Sequence, residues 1–150
     1  MRTLNSDSRI TDATDLFEVK VGLVSGENDF FLSDWDNVVA RNLQAEMKPI
    51  ISRAEQVKGI KLTEEEYQQL RDIGKKVSIF MPGDRPLNQL SESAQRYINW
   101  GEQQNYNKNY KCRIRKRWYV VPSSWTAEAF LIRQASLYPK MILNPRLLYL

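Results

Sequence analysis

The sequence predicts a single α+β domain with a mixed or mainly antiparallel sheet and about three helices. Residues 17–23 and 110–120 alternate apolar and polar side chains with period two, as half-buried strands do. Residues 63–74 and 91–101 repeat apolar side chains at helical spacing, each run behind a capping residue. The two patterns are interspersed along 150 residues, a length that suits one domain, and 42% apolar content is enough to build its core.

Residues 1–16 read as a polar leader or linker. The stretch MRTLNSDSRITDATD lacks the apolar centre of a secretory signal. No apolar run approaches the roughly 20 residues of a membrane span. A cytoplasmic protein with no membrane partner is expected. Phe17, Val19, Val21 and Leu23 then share one strand face, with Glu18, Lys20 and Gly22 on the other. A polar turn, Ser25 to Asp29, leads into Phe30, Phe31 and Leu32, which completes a predicted β-hairpin. Ser33 or Asp34 caps a short helix running to Asn42. Pro49 interrupts and holds Lys48 extended, and an extended connection follows to Gly59.

Thr63 and Glu66 form a capping box, Glu64 and Glu65 suit the positive end of the helix dipole, and Gly74 is the stop. Tyr67, Leu70 and Ile73 make the buried stripe of that helix. KVSIFMP reads as a buried strand ended by Pro82. Ser91 caps the second helix, Ala94, Tyr97 and Ile98 face inward, and Gly101 ends it. YKCRIRKRWYVVP reads as one long strand ended by Pro122. Thr126 caps a third helix over TAEAFLIRQAS, KMILN is a short strand, and RLLYL is a candidate for another.

Composition excludes much chemistry. There is one cysteine, Cys112, and no histidine. An internal disulfide, a Ser-His or Cys-His nucleophile pair and a cysteine-histidine zinc site are all ruled out. Asp29, Asp34 and Asp36 sit at a turn and a helix start, and Glu64 to Glu66 cap a helix, so neither group is read as a metal site. No catalytic residue is expected.

Charge is the sharper signal. Residues 1–107 carry 13 Lys/Arg against 17 Asp/Glu, whereas residues 108–150 carry 9 against 1. Such asymmetry suits a polyanion. In the strand reading Lys111, Arg113, Arg115 and Arg117 share one face with Tyr119, and Lys116 is the exception on the other face beside Cys112, Ile114, Trp118 and Val120. Arginine forks on alternate strand residues repeat about every 6.8 Å, near the repeat of a nucleic-acid strand. The expected contacts are Lys111, Arg113, Arg115, Lys116, Arg117 and Tyr119, with Arg53, Lys58, Lys140 and Arg146 as further phosphate contacts. The same charge suits an acidic protein partner or RNA, so an interaction module and an RNA-binding accessory domain are the alternatives. The turn from Ser25 to Asp29 has no nucleotide-loop pattern and reads as a plain turn.

Several segments in this order resemble one family. VGLVSGENDFFLS, KPIISRAEQVKGI, YINWGEQQNY, YKCRIRKRWYVVP and PKMILNP are similar to the C-terminal part of bacterial adenine-N6 DNA methyltransferases of restriction-modification systems, the TaqI-like gamma class. Gly22, Ser25, Gly26, Asn28 and Phe31 match the motif that opens the family's target recognition domain. Trp118, Tyr119 and Pro122 match a later aromatic strand motif, and Pro139, Lys140 and Asn144 match a third. The resemblance covers Phe17 to Asn144. It implies that residues 1–150 are a target recognition domain, a piece of a longer methyltransferase, that reads double-stranded DNA for a catalytic domain in cis. That catalytic domain would bind S-adenosylmethionine through a Gly-rich loop and carry an Asn/Asp-Pro-Pro-aromatic tetrapeptide. Neither occurs here: Asn144-Pro145-Arg146 lacks the second proline and the aromatic. The resemblance therefore implies recognition, no cofactor in this chain, and no methyl transfer by it alone.

Overall fold

Two small antiparallel sheets, each with its own apolar cluster, organise the chain. The structure is a computed structural model and describes residues 10–122, 125–131, 140–146 and 148–149. The first sheet has the order β1 (Leu32–Ser33), β3 (Ser78–Phe80), β2 (Met47–Pro49). Ile79 lies opposite both Leu32 and Lys48. The central strand β3 is buried throughout, which is why SIF reads as a continuous run with no alternation. Pro49 lacks an N–H and lies on an edge strand, where that is tolerated. The second sheet pairs β4 (Ala129–Leu131) with β5 (Met141–Leu143), placing Phe130 opposite Ile142. Single bridges join Leu143 to Lys61 and Tyr149 to Ile50, so Tyr149 is the bridging residue of RLLYL.

Five helical segments fill in the α+β fold among the described residues, two of them single turns. In α2 (Trp35–Ala40) Asp34 is the cap: its carboxylate accepts from the Asn37 amide and side chain at 2.9 and 2.8 Å. Partial burial works against the charge on Asp34, but these bonds, with Lys76 nearby, outweigh it and hold the carboxyl below its ordinary range. In α3 (Glu64–Asp72) the predicted capping box is present, and Gly74 ends the helix at φ +71. Tyr67 is buried and its hydroxyl donates to the Val77 carbonyl at 3.0 Å. Ile73 departs from the predicted stripe: it lies at the C-cap, past the last helical residue, and is exposed.

Helix α4 (Glu92–Gln103) starts at Ser91 and buries Ala94, Tyr97 and Ile98 as predicted. Gly101 does not end it. A Cβ there would stand 2.5 Å from the Phe30 ring and 2.7 Å from Trp118, so this glycine permits close packing inside the helix.

Three predicted elements are corrected. Residues 17–25 form no strand, and the second arm of the hairpin is a helical turn, α1 (Asn28–Phe31), capped by the Glu27 carboxylate accepting from the Asp29 amide at 3.1 Å. Phe30 and Phe31 are both fully buried; in a strand, neighbours point to opposite faces. The long strand at 110–122 is instead a helical turn, α5 (Tyr110–Arg113), followed by turns. The third helix is replaced over Ala129–Leu131 by β4, and its remainder at 132–136 lies outside the described residues.

Phe30 is the centre of the larger cluster. Its ring meets Phe31 edge-on at 4.9 Å, stacks on Tyr97 at 4.8 Å and lies 4.6 Å from Trp118. The Tyr97 hydroxyl donates to the Phe30 carbonyl at 2.6 Å, and burial pushes its pKa up to about 12.

Candidate nucleic-acid interface

Local backbone bonding explains why the basic segment coils. Asn105 takes a left-handed conformation at φ 64 and turns the chain out of α4. The amides of Cys112 and Arg113 both donate to the Asn109 carbonyl at 2.9 Å, Arg115 N–H donates to Cys112 at 3.1 Å, and Val120 N–H donates to Arg117 at 3.0 Å. These short-range bonds replace a strand ladder.

One side of the segment is sunk in the domain. Cys112 is fully buried, and burial pushes its thiol pKa up. Trp118 packs on Phe30 and donates its indole N–H to Glu102 at 2.9 Å. Tyr119 is buried and donates to the Arg85 carbonyl at 2.9 Å, so it does not face outward with the arginines. Arg115 reaches back to the opening motif: Nη2 donates to the carbonyls of Val24 and Ser25 at 3.0 and 2.8 Å, and its guanidinium lies 5.5 Å from the Phe31 ring centre. Burial lowers the pKa of Arg115, which remains a cation at any physiological pH.

The motif residues meet this side. Gly26 has φ +88, and a Cβ there would lie 3.0 Å from both the Arg115 guanidinium and Lys111 Cβ. Ser25 donates its hydroxyl to the Asn28 side chain at 2.6 Å, and Asn109 donates to the Glu27 carboxylate. The turn therefore grips the basic segment. Gly22, unlike Gly26, is not at positive φ.

The other side is open. A cleft of about 550 Å³ has Val24, Ile114, Val120 and Pro122 as its apolar wall and Lys111, Arg115, Lys116 and Arg117 as its cations, with Asp84 beside them; Arg115 borders it while its Nη2 stays bonded to the carbonyls of Val24 and Ser25. Tyr110 also borders it, with Arg113 5.8 Å from its ring centre. Arg117 pairs with Asp84, which follows Gly83 at φ +80 in the turn after β3. The strand reading put Ile114 inside and missed Val24 and Asp84. The signal for Ile114 was its place among cations at a spacing that a helical turn, unlike a strand, exposes.

The further phosphate candidates lie elsewhere. Arg53 pairs with Glu55 at 3.5 Å on the surface, and Lys58 is exposed. Lys140 donates to the carbonyls of Val57 and Lys58 at 2.8 and 2.9 Å. Arg146 pairs with Glu64 and lies over the Tyr67 ring. Asn144 is fully buried and satisfied: its side-chain N–H₂ donates to Ala127 and Leu148 at 2.7 and 2.9 Å, and its oxygen accepts from Leu148 N–H at 3.1 Å. Pro139 lies outside the described residues. Among the described residues, no helix is long and apolar enough to cross a membrane.

No curated protein and no solved structure matches the chain. Residues 1–149 match the family described as type II methyltransferase M.Eco57I, C-terminal domain. The order of motifs in the sequence and this nearly full-length match agree: the chain belongs to the family of type II methyltransferase M.Eco57I C-terminal domains.

Proposed function

We propose that this domain recognises the DNA site for an adenine-N6 methyltransferase of a restriction-modification system. It acts in cis with a catalytic domain that binds S-adenosylmethionine, on double-stranded DNA in the bacterial cytoplasm, and transfers no methyl group by itself. The observation that carries this reading is the open side of the basic segment. Six of the ten residues from Lys108 to Arg117 are cationic, and Lys111, Arg113 and Lys116 are exposed, in a family of methyltransferase C-terminal domains. Lysine and arginine neutralise phosphates and fix register, and side chains reaching base edges supply sequence preference. Arg115, Lys140 and Arg146 support the reading differently: their charges are engaged within the domain, so they hold the scaffold that presents the open face.

The test is a salt titration of binding to duplex DNA, duplex RNA and an acidic protein of matched charge. Duplex DNA is expected to bind at low salt, with a steep fall in affinity as salt rises. Absence of duplex DNA binding at low salt, or a preference for RNA or for the acidic protein, contradicts the proposal.

A further inference from the structure

We infer that the cleft beside α5 holds one unstacked nucleotide, with its base against the apolar wall and its phosphates on the cationic rim. The inference rests on the nucleic-acid reading and specifies what this site takes.

Three features point to it. The cleft has the volume of a small-molecule site, about 550 Å³ within a usual range of roughly 300–1,000 Å³. Its wall is apolar where the surrounding surface is charged: Ile114 and Tyr110 are 64% and 66% exposed, and Val24 is 41% exposed. Such residues clustered in one concavity mark a binding surface. Its rim is cationic: Lys111 and Lys116 make no ion pair among the described residues, and Arg117 makes one with Asp84 alone.

A fully paired duplex fits only half of this. It offers phosphates and base edges, and its base faces are stacked out of reach, so the apolar wall would gain nothing. An acidic peptide also meets only the rim, unless it carries a matching apolar side chain. An unstacked nucleotide presents a planar apolar face and an anionic phosphate within one nucleotide's length. Tyr110 offers a ring for stacking, with the Arg113 cation beside it. Charge complementarity and the apolar wall together select nucleic acid with a base out of the stack.

The experiment compares two duplexes of equal length, one fully paired and one with a single unpaired central base, by fluorescence anisotropy with the whole chain. The bulged duplex is expected to bind at least about fivefold more tightly, the low end of what stacking one base supplies. The double variant Tyr110→Ala/Ile114→Ser, both positions exposed, should lose that preference, with circular dichroism and salt slope unchanged. Equal affinity of the wild type for the two duplexes overturns the cleft assignment and leaves DNA recognition standing. A preference that survives the double variant overturns it as well. Failure to bind either duplex overturns both the cleft and the DNA reading.

Discussion

The two sides of the segment from Lys108 to Val120 place the same kind of residue in opposite surroundings. On the inner side Arg115 is clamped by two backbone carbonyls and lies against Phe31, beside buried Cys112 and Tyr119. On the outer side Lys111, Lys116 and Arg117 border an open cleft with exposed Ile114 and Tyr110. A cation's role here is decided by its partner and not by its place in a charge run. Inner-side changes should damage folding; outer-side changes should damage binding and leave the fold intact.

The strongest break of the inner side is Phe30→Ala, which removes the ring on which Tyr97 and Trp118 pack. It should cost about 3–5 kcal/mol, measured by urea unfolding. Next is Arg115→Ala. It leaves the carbonyls of Val24 and Ser25 without this donor and frees the opening turn, at a cost of about 1–3 kcal/mol. A stability change within about 0.5 kcal/mol would place Arg115 with the outer side.

A pH scan sharpens the same contrast. The Tyr97 pKa is raised from 10.0 to about 12, so its neutral form stabilises the fold. That contribution is fully present below pH 10 and disappears as pH rises through 12. Wild type should lose about 2–3 kcal/mol across this window, and Tyr97→Phe should lack that alkaline step while being less stable at neutral pH for want of the bond to Phe30.

The smallest expected effect is at Asp84, whose pair with Arg117 is exposed on the aspartate side. Asp84→Asn should shift stability by no more than about 0.5 kcal/mol. It should tighten duplex binding a few-fold at low salt by freeing Arg117 and removing an anion from the rim. Weaker binding would mean that Asp84 itself contacts the nucleic acid.

Much of this was legible in the sequence, and the gaps have a physical cause. Capping residues act locally, so Thr63, Glu66, Ser91 and Asp34 announced their helices correctly. The central strand was legible because it is buried on both faces. The basic segment was misread because Cys112, Arg115 and Trp118 recur every third residue, the period of a turn, while the same short window also alternates. Period two and period three coincide too often over a dozen residues to be told apart. The hairpin failed for a related reason: adjacent buried phenylalanines contradict half-buried alternation, and only the partners of α1 show how both enter the core. Arg115 was placed on the outer face because its acceptors lie some 90 residues earlier in the chain. Gly101 stood at the expected stop for α4, yet its role is fixed by rings from two other elements.

The division of labour is tested most directly by the triple variant Lys111→Ala/Lys116→Ala/Arg117→Ala in a salt titration with duplex DNA. Three lost phosphate contacts should reduce the slope of log K against log salt by about 2–3, with urea unfolding unchanged. An unchanged slope in a folded triple variant would contradict the account and move the DNA-binding face elsewhere on the domain.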